Sequence, residues 1–301
     1  MSALVGVTRR GVDGWPSMSA RARGLRRRVF AMLGALLCMA VLPLAGCVSA
    51  SNSRDGAGTG LGSPAPAAPA APTVVLTGTL TVFAAASLTD VFSKFEAELE
   101  AQHPALEIVL VFGGSSALAQ QLLAGAPADV FAAADETTMQ VAVDGDVVQA
   151  PVAFARNLLA LAVPLDNPGR VTSLDDVARP ELLVALCASE VPCGRAADRL
   201  LAAHGITPSV DTREQDVRSV LTKIELGEVD AGLVYATDAR VARDRVSTVS
   251  IIGAEEVATT ASVAIVVGTS QPDAAAAFLA LATSAEGARV LRAAGFIVVG
   301  R

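Results

Sequence analysis

Histidine, lysine and the large aromatic residues are almost missing from this chain of 301 residues. The two histidines, His103 and His204, lie far apart and neither has partners at metal-ligand spacing, so no metal centre is expected. The only lysines are Lys94 and Lys223. The first 47 residues hold seven arginines and one aspartate; setting these aside leaves 16 of the chain's 23 basic residues and 29 of its 30 acidic ones, a net of −13. So acidic a chain does not suit nucleic acid, which needs a basic face. Nor can it attract an anion by bulk charge, so an anion site here has to rest on local dipoles. Tryptophan occurs once, at Trp15, and tyrosine once, at Tyr235. The apolar run at residues 29–44 is roughly 16 residues long, short of the about 20 that a membrane span needs.

That run reads instead as the centre of an export leader. Arg21, Arg23, Arg26, Arg27 and Arg28 precede it, and Leu44-Ala45-Gly46-Cys47 ends it. A basic start, a short apolar centre and small residues before a cleavage point describe a secretory signal. Leu-Ala-Gly-Cys also resembles the bacterial lipobox, which implies that Cys47 becomes the lipidated first residue of the mature chain. Residues 1–46 are then a signal peptide, opened at Met1 or Met18. Residues 47–76 are the lipidated cysteine and a flexible linker rich in Ser, Gly, Ala and Pro. The expected location is the extracytoplasmic face of the cell membrane, held by that lipid. Trp15 and Cys38 leave with the leader, so Tyr235 should dominate the mature chain's ultraviolet emission. Cys187 and Cys193 remain close together in an exported chain, where disulfides persist, and are expected to be bridged.

The folded part is organised around residues 80–90, LTVFAAASLTD. A short apolar strand at 80–83 leads through three alanines to Ser87. Leu88, Val91, Phe92, Phe95 and Leu99 then recur at helical spacing. Ser87 is placed to cap that helix. Alternatively its hydroxyl, the free N–H groups of the helix start and the positive end of the dipole hold an anion. The unit repeats: a strand at 106–112 ends in Gly113-Gly114-Ser115-Ser116 and a helix follows. A third junction, Val191-Pro192-Cys193-Gly194-Arg195, again joins a strand to a helix through small residues. Asp135 and Asp216 read as helix N-caps, and Asp129 as structural, since no second acid or base lies at a useful spacing. Regular alternation of strands and helices indicates an α/β architecture with largely parallel sheets. Strand ends on one sheet edge can then share a crevice.

AAASLTD, GGSSALAQQL, GAPADVFAAAD, VPCGRAADRLL, QDVRSVLTKIELGEVDAGLVYATDA and SAEGARVLRAAGF follow one another in this order. This ordered set resembles the molybdate-binding proteins of ABC importers, from about Thr79 to Ile297. The resemblance implies a two-lobed type II periplasmic-binding-protein fold with mixed, mainly parallel sheets and a hinge. Lobe one would hold residues 77–155 and a return segment at 241–301, and lobe two residues 156–240. It implies molybdate or tungstate as ligand, no cofactor, no free metal cation, a membrane permease as partner, and a monomer. Ser87 and Ser115 look like the two serines that give hydroxyl and backbone N–H. Cys193 and Val217 look like the residues that offer backbone N–H, and Tyr235 like the tyrosine whose hydroxyl donates. The chain departs from the family in Gly113-Gly114, where serine-rich turns are common, and in having cysteine at 193.

The residue types suit that chemistry on their own. A fully ionised tetrahedral dianion offers four acceptor oxygens to a site made only of donors. Sulfate fits the same description, and only the resemblance selects molybdate. An enzyme using Cys193 as nucleophile would need a neighbouring base, and His204 lies eleven residues on. A cytoplasmic regulator with a sensor domain is opposed by the leader and the lipobox.

Overall fold

Leu80, Val82 and Ala84 of the first strand, β1 (Thr77–Ala85), enter one hydrophobic core, while Phe83 between them enters another. The second half of the strand, Val82–Ala85, is buried on both faces and is apolar throughout, whereas its exposed first half alternates Thr79-Leu80-Thr81. The computed structural model describes residues 75–300. The leader, Cys47 and most of the linker lie outside the described residues, and with them the expectations of export and lipidation.

Two sheets make up the described residues. The first contains β1, β2 (Ala105–Gly113), β3 (Val130–Ala133), β4 (Val152–Asn157), β10 (Thr259–Ile265) and β11 (Ile297–Val298), in the order β11-β4-β10-β3-β1-β2. The second contains β5 (Leu159–Pro164), β6 (Val184–Cys187), β7 (Thr212–Glu214), β8 (Ala231–Tyr235) and β9 (Val246–Val249), in the order β7-β6-β8-β5-β9. Helices α1 (Thr89–Gln102), α7 (Pro272–Ala282) and α8 (Ala285–Ala294) share a core with one face of the first sheet, where Phe92 meets Phe278 edge-on at 5.1 Å. Helices α2 (Ser115–Leu123) and α3 (Glu136–Asp144) share the core of its other face. Helices α4 (Pro192–Ala203), α5 (Val217–Glu225) and α6 (Ala236–Val241) belong with the second sheet in a single core.

Strands β1, β2 and β3 are mutually parallel, as are β6, β7 and β8. The remaining pairs, β3–β10, β10–β4, β4–β11, β8–β5 and β5–β9, are antiparallel. The sheets are therefore mixed in nearly equal parts rather than mainly parallel. Helix-connected units give the parallel strands; the antiparallel ones arise where the chain passes between sheets, which local periodicity does not reveal. The chain crosses from β4 to β5 through Leu158 and returns through residues 250–258. Pairing keeps β4 through Asn157 in the first sheet and places β9 in the second, with Leu161 opposite Val249. Strands β7 and β9 are short and largely polar at sheet edges, so neither leaves an apolar run to read.

Candidate functional site

The C-terminal ends of parallel strands from both sheets meet at one cavity. From the first sheet it is lined by Ala85, Ala86 and Ser87 after β1, Gly113, Gly114 and Ser115 at the end of β2, and Ala134 after β3. From the second come Val191, Pro192 and Cys193 after β6, Gln215, Asp216 and Val217 after β7, and Tyr235 ending β8. This is the edge at which open α/β sheets bind ligands. The cavity has about 20 Å³ in which the centre of a water molecule could lie.

Ser87 does not cap α1. It lies in a 3-10 turn, Ala86–Leu88, and neither the turn nor the helix has a side-chain cap; Leu88 occupies the N-cap position of α1. The serine is buried, and its hydroxyl is left to the cavity it lines. Ser115 is the first residue of α2, and its Oγ accepts a hydrogen bond from the Ala134 N–H at 3.1 Å. A hydroxyl that accepts on its oxygen still has its proton to donate. The first backbone bond of α2 is Leu118 N–H to Gly114 C=O, which leaves the N–H groups of residues 115–117 without an intrahelical partner.

Helix α4 starts the same way, from Arg195 N–H to Val191 C=O. Pro192 has no N–H to leave unpaired, and those of Cys193 and Gly194 remain. The expected disulfide joins Cys187 to Cys193 and ties the end of β6 to this helix start. A side chain on Gly194 would put its Cβ 1.8 Å from the Ala188 carbonyl, so only glycine lets the helix come so close. At α5, Asp216 is the N-cap: its Oδ1 accepts from Ser219 N–H at 3.0 Å and its Oδ2 from Ser219 Oγ at 2.9 Å. Both carboxylate oxygens are thus engaged by Ser219, and the Val217 and Arg218 N–H groups stay free of helical bonds.

Tyr235 is 1% exposed, and its hydroxyl has no hydrogen-bond partner among the described residues. Burial holds the phenol well above its ordinary value. It therefore stays protonated, a donor with nothing to donate to. No lysine or arginine lines the cavity. Its positive potential comes from backbone dipoles, each helix start contributing up to about half an elementary charge.

All five residues expected from sequence, Ser87, Ser115, Cys193, Val217 and Tyr235, line this one cavity. Sequence reading missed Gly114. A Cβ there would lie 2.2 Å from the Gln215 carbonyl, so the missing side chain lets the two sheets' loops touch across the cavity mouth. It also missed Arg195 and Arg218, which follow donor residues on α4 and α5 and reach toward the first sheet. Nothing in a one-dimensional pattern marks a contact across a cleft.

The profile of the bacterial extracellular solute-binding proteins matches residues 80–297. The molybdate-binding protein ModA of Mycobacterium tuberculosis is 39% identical over 252 residues, covering 83% of this chain and 96% of that one. Among solved structures, the periplasmic molybdate-binding protein of Azotobacter vinelandii superposes with a TM-score of 0.66 at 18% identity, over 73% of this chain and 100% of that one. The sulfate-binding protein SubI of Mycobacterium tuberculosis does so at 0.63 and 19%, over 73% and 87%. At these identities the two structures share the fold, which does not by itself choose the anion.

Proposed function

Because the chain belongs to the bacterial extracellular solute-binding proteins, and is similar over nearly its whole folded part to a molybdate-binding member, we propose that it captures molybdate outside the cytoplasm. It delivers that anion to the membrane permease of an ABC importer. The observation that carries this reading is a small cavity lined by uncharged donors from four helix or turn starts and one tyrosine. In it, Ser87 and Ser115 give hydroxyl and N–H, Cys193 and Val217 give N–H, and Tyr235 gives its hydroxyl. Molybdate and tungstate are fully ionised dianions that only accept, so they match this set. Phosphate keeps a proton near neutral pH and needs an acceptor; the nearest carboxylate, Asp216, is already engaged by Ser219.

Binding rather than catalysis is supported at Cys193, whose sulfur is bonded to Cys187 and is no thiolate nucleophile. The two lobes correspond to the two sheets, with the hinge at the crossings near Leu158 and at residues 250–258. Cys47 carries the lipid, and the protein acts as a monomer without a resident cofactor. Calorimetric titration with molybdate, tungstate, sulfate and phosphate tests the reading. Molybdate and tungstate should bind tightly, sulfate more weakly and phosphate not at all. Tight sulfate binding with no heat from molybdate would overturn the choice of anion.

A further inference from the structure

Two arginines flank the cavity without lining it. Arg195 is the fourth residue of α4, two positions after Cys193. It lies 2.7 Å from Asp135 Oδ2, the N-cap of α3 on the first sheet, and donates to Thr138 Oγ1 at 2.6 Å on the same helix. Arg218 is the second residue of α5, next to Val217. It pairs across the cleft with Asp90 in the first turn of α1, while its Nε lies 2.6 Å from Asp238 Oδ1. Asp238 belongs to α6, is fully buried, and pulls the arginine from the second sheet's side. Burial works against the Arg218 charge, and the carboxylates of Asp238 and Asp90 more than restore it.

We propose that Asp135–Arg195 and Asp90–Arg218 are a pair of interlobe clasps that hold the closed form and set how long the bound oxyanion stays. Each arginine sits beside a backbone donor of the cavity yet turns its charge across the cleft. Closing the lobes therefore forms two ion pairs at the moment the donors converge on the anion. The arginines do not touch the ligand: they are positioning residues, and their energy appears only in the closed state. Opening at the hinge separates each arginine from its partner on the first sheet, while Arg218 keeps Asp238. The Asp90–Arg218 clasp is partly exposed, so salt should weaken it, whereas the buried Asp135 screens its own clasp from salt. They rest on the proposed ligand reading, and deepen it by assigning the release step.

The test compares wild type with Asp90→Asn, Asp135→Asn and the double variant. Asparagine at 135 keeps the helix cap. Molybdate dissociation, followed by stopped flow, should speed up about two- to fivefold in Asp90→Asn, as for a partly exposed ion pair, and by more in Asp135→Asn, whose carboxylate is buried. Association should change little, the ligand-free melting temperature should stay within about 2 °C, and Asp90→Glu should restore slow release. Salt should speed release from wild type and have little effect on the double variant. Unchanged dissociation in the double variant would overturn the clasps while leaving molybdate as ligand. If wild type binds no molybdate, that ligand reading fails separately. Small-angle scattering then decides the clasps, a more open double variant supporting them and an unchanged profile overturning them.

Discussion

The Ser87 and Ser115 hydroxyls lie at similar places in sequence and do different work. Ser115 supports the fold as well as the cavity, because its oxygen accepts from Ala134. Ser87 makes no cap bond. Both alanine variants should lose about 1–3 kcal/mol of molybdate binding, the range for a hydrogen bond to a charged group. Only Ser115→Ala should also lower thermal stability; equal melting curves with unequal affinity would contradict this. Tyr235→Phe should weaken binding similarly but leave the ligand-free protein as stable or more so, because it removes a buried hydroxyl that has no partner. Molybdate should change the wild-type tyrosine emission. Asp238 gives a pH signature. Burial first, against the opposing pull of Arg218, raises its carboxyl from 3.8 to about 6. The folded state thus binds this proton more tightly than the unfolded chain. The stability so contributed is complete below pH 3.8 and is lost as pH rises through about 6. Asp238→Asn should remove that slope. The variant's stability relative to wild type should therefore rise between pH 4 and 7, by an amount on the order of 1–3 kcal/mol, measured by denaturant unfolding at each pH.

At the scale of elements, the site is made of starts: three helices and one 3-10 turn, each with N–H groups that no side chain caps toward the cavity. Acidic caps that would compete with an anion are absent at α1, α2 and α4 and are turned onto Ser219 at α5. How closely these starts converge depends on small residues. Gly114 has an ordinary extended conformation, so its glycine is required by space and not by backbone angle. Gly114→Ala should place a methyl against Gln215 and hold the two loops apart. Binding should fall by at least about tenfold, roughly 1.4 kcal/mol, with ligand-free stability little changed, as read by calorimetry and melting. The disulfide complements this on the other sheet, by fixing α4 against β6 where Gly194 allows contact.

Taken whole, the molecule presents an acidic chain to an anionic ligand and resolves the conflict locally. Net charge repels at long range, but within about 8–10 Å salt leaves the dipoles of the cavity in control. Raising ionic strength should therefore speed association with molybdate modestly, by screening the repulsion, the reverse of a site built from lysines. Stopped-flow association across a salt series checks the sign. The proposed lipid attachment belongs to this scale too. Cys47→Ala should shift the protein from the detergent phase to the aqueous phase on partitioning, with molybdate binding intact.

Some of this was settled by the chain of residues alone. Burying the end of β1 on both faces demands the apolar run Val82–Ala85, and α1 announces itself by the spacing of Val91, Phe92, Phe95 and Leu99. Asp135 and Asp216 were legible as caps because a cap bonds only three residues ahead. Ser87, Ser115 and Cys193 were legible because each sits at a strand end with a small-residue turn, Val217 and Tyr235 only because the ordered motifs resemble a family. What only the tertiary structure decided is everything that joins distant segments. Ser87 looks like a cap in sequence, and only the folded turn frees its hydroxyl. The antiparallel partners β4, β9 and β10 pair across long separations, where register depends on packing and not on local propensity. Asp90 meets Arg218 across 128 positions of chain, and Gly114 meets Gln215 only when two sheets face each other. Short-range bonds write themselves into short-range patterns; contacts across a cleft depend on how whole sheets are placed, and no local pattern of residues carries that information.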